Sequence, residues 1–205
     1  VKTADKILLI SLDLFNTQGE RNITSVDIAN ELDISPGNLY YHFKGKDQII
    51  NALVESYIAK MNAIPQSTDN NKAFYEYLFH ALETMHLFRF LFQNIAELSQ
   101  QYPAITKKMQ RLSNSQRQYL REALLAQKSR GTLKGDDADI DLLLDIISLT
   151  LFQNLNYYQM QGDSLVDPNI VYRTLMTIYF SLQPYYVESE ETRAIKQSIL
   201  DKTLV

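Results

Sequence analysis

The chain has 205 residues, of which 45% are apolar and 21% charged, enough material for one large packed unit or two small ones. Its formal charge of −4 argues against a protein that coats nucleic acid by bulk charge, but leaves room for a local site. The lack of cysteine excludes disulfides, thiolate metal sites and a cysteine nucleophile, and with neither an eighteen-residue apolar run nor a leader-like start, the expectation is a cytoplasmic protein without a membrane partner.

Only 6 glycines and 5 prolines interrupt apolar residues that recur at helical spacing, which predicts an all-α protein of about nine to ten helices. The first helix covers Thr3 to Gln18, with Ile7, Leu8, Ser11, Leu14 and Phe15 on one stripe and Gly19 as its stop. In "ITSVDIANEL" either Thr24 or Ser25 can cap a second helix, Asp27 favours its positive end, and Ile28, Ala29 and Leu32 face inward until it ends near Asp33. Ser35 then caps a third, with Pro36 in the first helical position, where a missing N–H is not felt. Its Leu39 and Phe43, four apart, are expected to pack against Ile28 and Leu32, turning Asn38, Tyr41 and His42 outward.

A fourth helix, residues 47–61, precedes the polar break "IPQSTDNN" at Ile64 to Asn71. Further helices are expected over 72–85, 87–100, 103–129, 138–161, 168–183 and 188–202, with Pro184 ending or bending the fifth of these. The expected division is a unit of residues 1–50 and a larger helical unit of 51–205, connected by helix 47–61. Two long segments, 138–161 and 168–183, are apolar on more than one face, as a helix buried both in the core and against a partner would be.

Two short helices joined by a tight turn and braced by a first form the arrangement that sets a recognition helix into a DNA major groove. Asn38 can hydrogen-bond a base edge, the Tyr and His tips can reach phosphates or a thymine methyl, and Lys44 and Lys46 flank the start of the fourth helix, where free N–H groups also attract phosphate. "HALETMH" spaces His80, Glu83 and His86 by three, but two histidines about 120° apart around a helix strain joint ligation, so no metal site is expected. No HExxH, Gly-rich phosphate loop or nucleophile elbow occurs, and neither an enzyme nor a cofactor is expected.

Three blocks in register, "ILLISLDLFNTQG", "ITSVDIANELDIS" and "PGNLYYHFKGKDQII", resemble the DNA-binding region of the TetR family of bacterial transcriptional regulators. The resemblance implies a three-helix helix-turn-helix domain, then a larger helical domain for effector binding and dimerisation. It places Thr24 and Ser25 at backbone or base contacts and Pro36, Gly37 and Asn38 in the base-reading stretch. Tyr40, His42 and Lys46 fall at phosphate clamps, Tyr41 at a sugar-base edge, and Leu39 and Phe43 in the core. Tyr40 also reads as a packing residue. Asp33 stands where the family commonly has glycine, so a left-handed Asp is expected in the turn. Over residues 1–60, six cations meet eight carboxylates, a local charge of −2.

The same resemblance implies a homodimer formed by the last two long helices and a small-molecule effector of unspecified class. Tyr77, His80, Phe152 and Asn156, polar or aromatic tips on apolar faces, are the expected pocket residues. The functional expectation is a repressor of transcription released from palindromic double-stranded operator DNA by that effector. The alternative is a helical protein-interaction or ligand-sequestering module that keeps the motif without binding DNA, supported by the acidic head.

Overall fold

The protein, seen in a computed structural model that describes residues 2–93 and 95–203, is all-helical apart from one isolated β-bridge, Leu133 with Tyr186, among those residues. The helices are α1 (Thr3–Gln18), α2 (Ser25–Glu31), α3 (Pro36–His42), α4 (Lys46–Asn62), α5 (Asn71–Leu87), α6 (Phe90–Gln93), α7 (Ile95–Gln101), α8 (Pro103–Ser129), α9 (Asp137–Met160), α10 (Asn169–Leu182) and α11 (Glu190–Thr203). Short 3₁₀ turns occupy Glu20–Asn22 and Gln183–Tyr185, the second where Pro184 stops α10.

Local chemistry sets these boundaries. Thr24 is the N-cap of α2 in a capping box: Asp27 N donates to its Oγ1 at 3.2 Å, and Thr24 N donates back to Asp27 Oδ2 at 2.8 Å. The Thr24 hydroxyl also donates to Asp27, which holds that carboxyl below its ordinary range, the side-chain bond contributing more than the backbone one. Ser35 Oγ accepts from Asn38 N at 3.1 Å to start α3. Between them the chain turns at Asp33, left-handed with φ 53° as the missing glycine implied.

One departure from sequence expectation lies at the proposed helix over 87–100. Here α5 runs on to Leu87, and the chain turns through Phe88 before α6 begins. Asn16, from the end of α1, occupies that corner: its Nδ2 donates to Leu87 O at 2.8 Å and its Oδ1 accepts from Phe90 N at 3.0 Å. A side-chain amide distant in sequence thus completes both helix ends.

α1–α3 form a head, and α5–α11 a body, joined through α4. α1 packs on α2, α3, α4 and α6, whereas α10 sits at the centre of the body against α5, α9 and α11. The head meets the body through rings: Phe15 lies 5.4 Å from Phe90, and Tyr57 of α4 lies 5.7 and 5.6 Å from Phe88 and Phe92. All of these are buried, so the joint is a continuation of the core rather than a loose linker.

Candidate functional site

α3 presents a sharply divided surface. Leu39 is fully buried and Phe43 partly so, pinning the helix to the head core that Ile28 and Ala29 share. Pro36, Gly37, Asn38 and Tyr40 are exposed, Tyr41 is 78% exposed, and His42 is half-buried with its ring edge-on to Tyr41 at 5.1 Å. Thr24 is exposed and Ser25 half-buried at the start of α2. The predicted contact residues of α2 and α3 therefore lie at accessible surface, and Tyr40, 44% exposed, is only partly a packing residue.

The two lysines of the α3–α4 corner differ. Lys44 is exposed and, among the described residues, in no ion pair; its backbone N–H donates to Gln48 Oε1 at 2.9 Å. Lys46 is engaged: its Nζ lies 2.8 Å from Glu20 Oε1 and donates to Glu20 O at 3.0 Å, with only 20% of its side chain exposed. The same carboxylate oxygen accepts from Tyr102 OH at 3.0 Å, and the neighbouring Arg21 pairs with Glu97 at 2.6 Å. Burial first, and then the Glu20 charge, push the Tyr102 phenol well up, so it stays a neutral donor.

The body holds an apolar cavity of about 280 Å³ between α6, α7, α8 and α9. Leu91, Ile95, Leu98, Ile105, Met109 and Phe152 line it, with Ser99, Thr106, Gln110 and Ser113 as its polar groups and, among the described residues, no charged side chain. Ser113 and Phe152 also border a small void beside Tyr77, whose buried hydroxyl has, among the described residues, no hydrogen-bond partner of ordinary geometry, although the Gln116 amide lies alongside. A larger groove, about 510 Å³, between α5, α10 and α11 carries Lys72, Glu76 and Glu191 at its margin and touches no residue of the head.

Of the four expected pocket residues, the structure brings Tyr77 and Phe152 together at that cavity and its annex. His80 lies outside the buried stripe of α5 and faces solvent, with Nδ1 3.1 Å from Glu83. Asn156 is half-buried and spends its amide on Phe92 O and Gln153. Sequence reasoning missed Leu98, Ile105 and Met109, because an apolar residue lining a cavity has the same helical spacing as one filling a core. Among the described residues no helix is long and apolar enough to cross a membrane, and no His/Asp/Glu group could hold a metal ion.

The outer face of α9 is unusually apolar. Leu142, Leu149, Tyr157 and Met160, in steps of seven, eight and three, are 55%, 65%, 58% and 87% exposed, with Phe180 of α10 and Val166 between the helices.

Residues 7–53 match the family described as "Bacterial regulatory proteins, tetR family", and residues 55–193 match "Bacterial transcriptional repressor", the TetR C-terminal region. The chain is 25% identical over 165 residues to the HTH-type transcriptional repressor KstR2 of Mycobacterium tuberculosis, covering 77% of this chain and 82% of the relative. An uncharacterised HTH-type regulator of Xanthobacter autotrophicus is 32% identical over 56 residues, and there the chain spans only 28% of the relative's length. A solved TetR-family regulator of Marinobacter aquaeolei VT8 superposes with a TM-score of 0.83 at 25% identity, covering 97% of this chain and 99% of that one.

Proposed function

Because the chain belongs to the TetR family of bacterial transcriptional regulators, we propose that its head reads a palindromic operator as a homodimer and that a small molecule bound in the body releases it. DNA binding is the family's activity; the contacts, the dimer face and the effector class are the specific parts of this reading.

The observation that carries it is the division of α3: Leu39 sealed in the core, and Asn38, Tyr40 and Tyr41 standing out on the opposite side. Asn38 is placed to reach a base edge, Gly37 allows close approach of the backbone, and Tyr41 meets sugar or a thymine methyl. Thr24, Ser25, His42, Lys44 and the N-terminus of α4 fix the phosphate backbone. With so few cations available, register comes from neutral hydrogen bonds and helix ends more than from bulk charge. Two such heads enter major grooves about 34 Å apart or slightly more.

The exposed apolar stripe of α9, with Phe180 of α10, serves as the self-complementary face of the dimer. The effector enters the cavity of α6 to α9, and since no charged side chain among the described residues lines it, an uncharged, largely apolar molecule is the class it fits. Residues 1–50 act as the DNA-binding unit and 51–205 as the regulatory unit, α4 transmitting between them.

Selection from random duplexes tests the central claim. Enrichment of one palindromic sequence is expected. Recovery of no preferred sequence would overturn the reading in favour of a helical interaction module.

A further inference from the structure

Of the cations near the α3–α4 corner, one is held back. Lys46 is the first residue of α4, two positions from the exposed Lys44, yet its ammonium points away into a contact with Glu20 at 2.8 Å, and the Glu20 side chain is only 9% exposed. A carboxylate this close and this little exposed attracts an ammonium more strongly than a surface partner does, because solvent screens it less.

Glu20 is itself held from the body. Its oxygen accepts from Tyr102 OH at 3.0 Å, and Tyr102 is the residue that joins α7 to α8. On either side of Tyr102 in sequence, Leu98 and Ser99, then Ile105 and Thr106, line the cavity of the body. Glu20 therefore stands between a phosphate-seeking lysine and the junction that a cavity ligand would touch.

We propose that Glu20 is a positioning residue that withholds the Lys46 ammonium from the DNA backbone, and that Tyr102 keeps the Glu20 carboxylate in that position. The Glu20 carboxylate and a DNA phosphate compete for one ammonium. In the paired state the head docks with one fewer cation, which lowers its affinity for all sequences alike and raises the weight of the α3 contacts in choosing among them. The inference rests on the α3–α4 corner being the DNA-facing surface.

The test is the salt dependence of binding to a fluorescent random-sequence duplex, from about 50 to about 200 mM salt. Glu20→Gln keeps the shape and removes the competing charge. It should bind more tightly at low salt, with the slope of log K against log salt steeper by about 0.9 per head, so that its advantage shrinks about threefold per head across that range. Glu20→Gln combined with Lys46→Gln should return to the wild-type slope. Tyr102→Phe, which leaves every charge in place and serves where Glu20→Gln folds poorly, should steepen the slope by a smaller amount.

An unchanged or shallower slope in both single variants, with wild type still binding, overturns the proposal. A steeper slope in Glu20→Gln that survives loss of Lys46 also overturns it, since another cation would then be responsible. If wild type bound no duplex at any salt, the failure would lie instead with the DNA-binding reading.

Discussion

Replacing Asn16 by alanine removes a clasp between head and body. The Asn16 amide satisfies Leu87 O at 2.8 Å and Phe90 N at 3.0 Å together, closing the C-terminus of α5 and opening α6. A net hydrogen bond in a folded protein contributes about 1 kcal/mol, somewhat more where the abandoned partner stays buried. Leu87 is exposed and recovers part of its bond from water, whereas Phe90 is 3% exposed and its N–H recovers little. The expected loss is therefore about 2 kcal/mol, which for a chain of this size lowers Tm by about 4–8 °C. Thermal unfolding followed by circular dichroism would measure it, with urea unfolding as the independent check. A loss below about 0.5 kcal/mol, within the range of ordinary surface substitutions, would refute the argument that one amide holds this corner.

Asn38→Ala should cost about 1–3 kcal/mol on the preferred operator and relax the preference at one position while leaving random-duplex binding nearly unchanged, as competition against single-base operator variants would show. Leu149→Glu, at the centre of the exposed α9 stripe, should weaken self-association by about tenfold or more, and an unaltered dimer in sedimentation would exclude that face. Asp33→Gly relieves a left-handed aspartate at the cost of a freer unfolded chain, for a net gain of about 0.5 kcal/mol in urea unfolding. Burial first, and then Arg89, hold the His86 pKa below its ordinary 6.5, against an opposing pull from Asp167. The unfolded chain therefore takes up the proton first, so stability falls as pH drops from about 6.5 towards the folded value, and His86→Gln should flatten that limb of a stability-against-pH curve.

Much of this was legible in the sequence where the determinants are local. Thr24 with Asp27, Ser35 with Pro36, and the spacing of Leu39 and Phe43 each act within a few residues, and the α2–turn–α3 geometry follows from them. Asp33 could be read too, but through the family resemblance, because it stands at a turn position where glycine is common. The fate of Lys46 was not readable: Glu20 lies 26 residues away and Tyr102 a further 82 from Glu20, and only the packed head and body bring them together. A break near residue 86 was expected, but its position after Leu87 was hidden for the same reason, since Asn16, 71 residues from Leu87, supplies the bonds that hold the turn there. His80 and Asn156 read as pocket groups because polar tips on apolar faces are ambiguous between a cavity and a solvent margin. The exposed stripe of α9 did show, as a helix with more apolar faces than one core needs.

The last helix completes one of the first helices of the body. Glu191, at the start of α11, accepts from the backbone N–H of Asn71 at 3.0 Å and of Lys72 at 3.3 Å, closing the N-terminus of α5 from 120 residues downstream. On a ribosome adding about 5–20 residues each second, roughly 6–24 s separate the emergence of those two ends. The packing of α1, α2, α3 and α4 on one another lies within the first 62 residues and can form in that interval. The body waits for α11, so a chain cut short before it would present a reading head on an unfinished sensor.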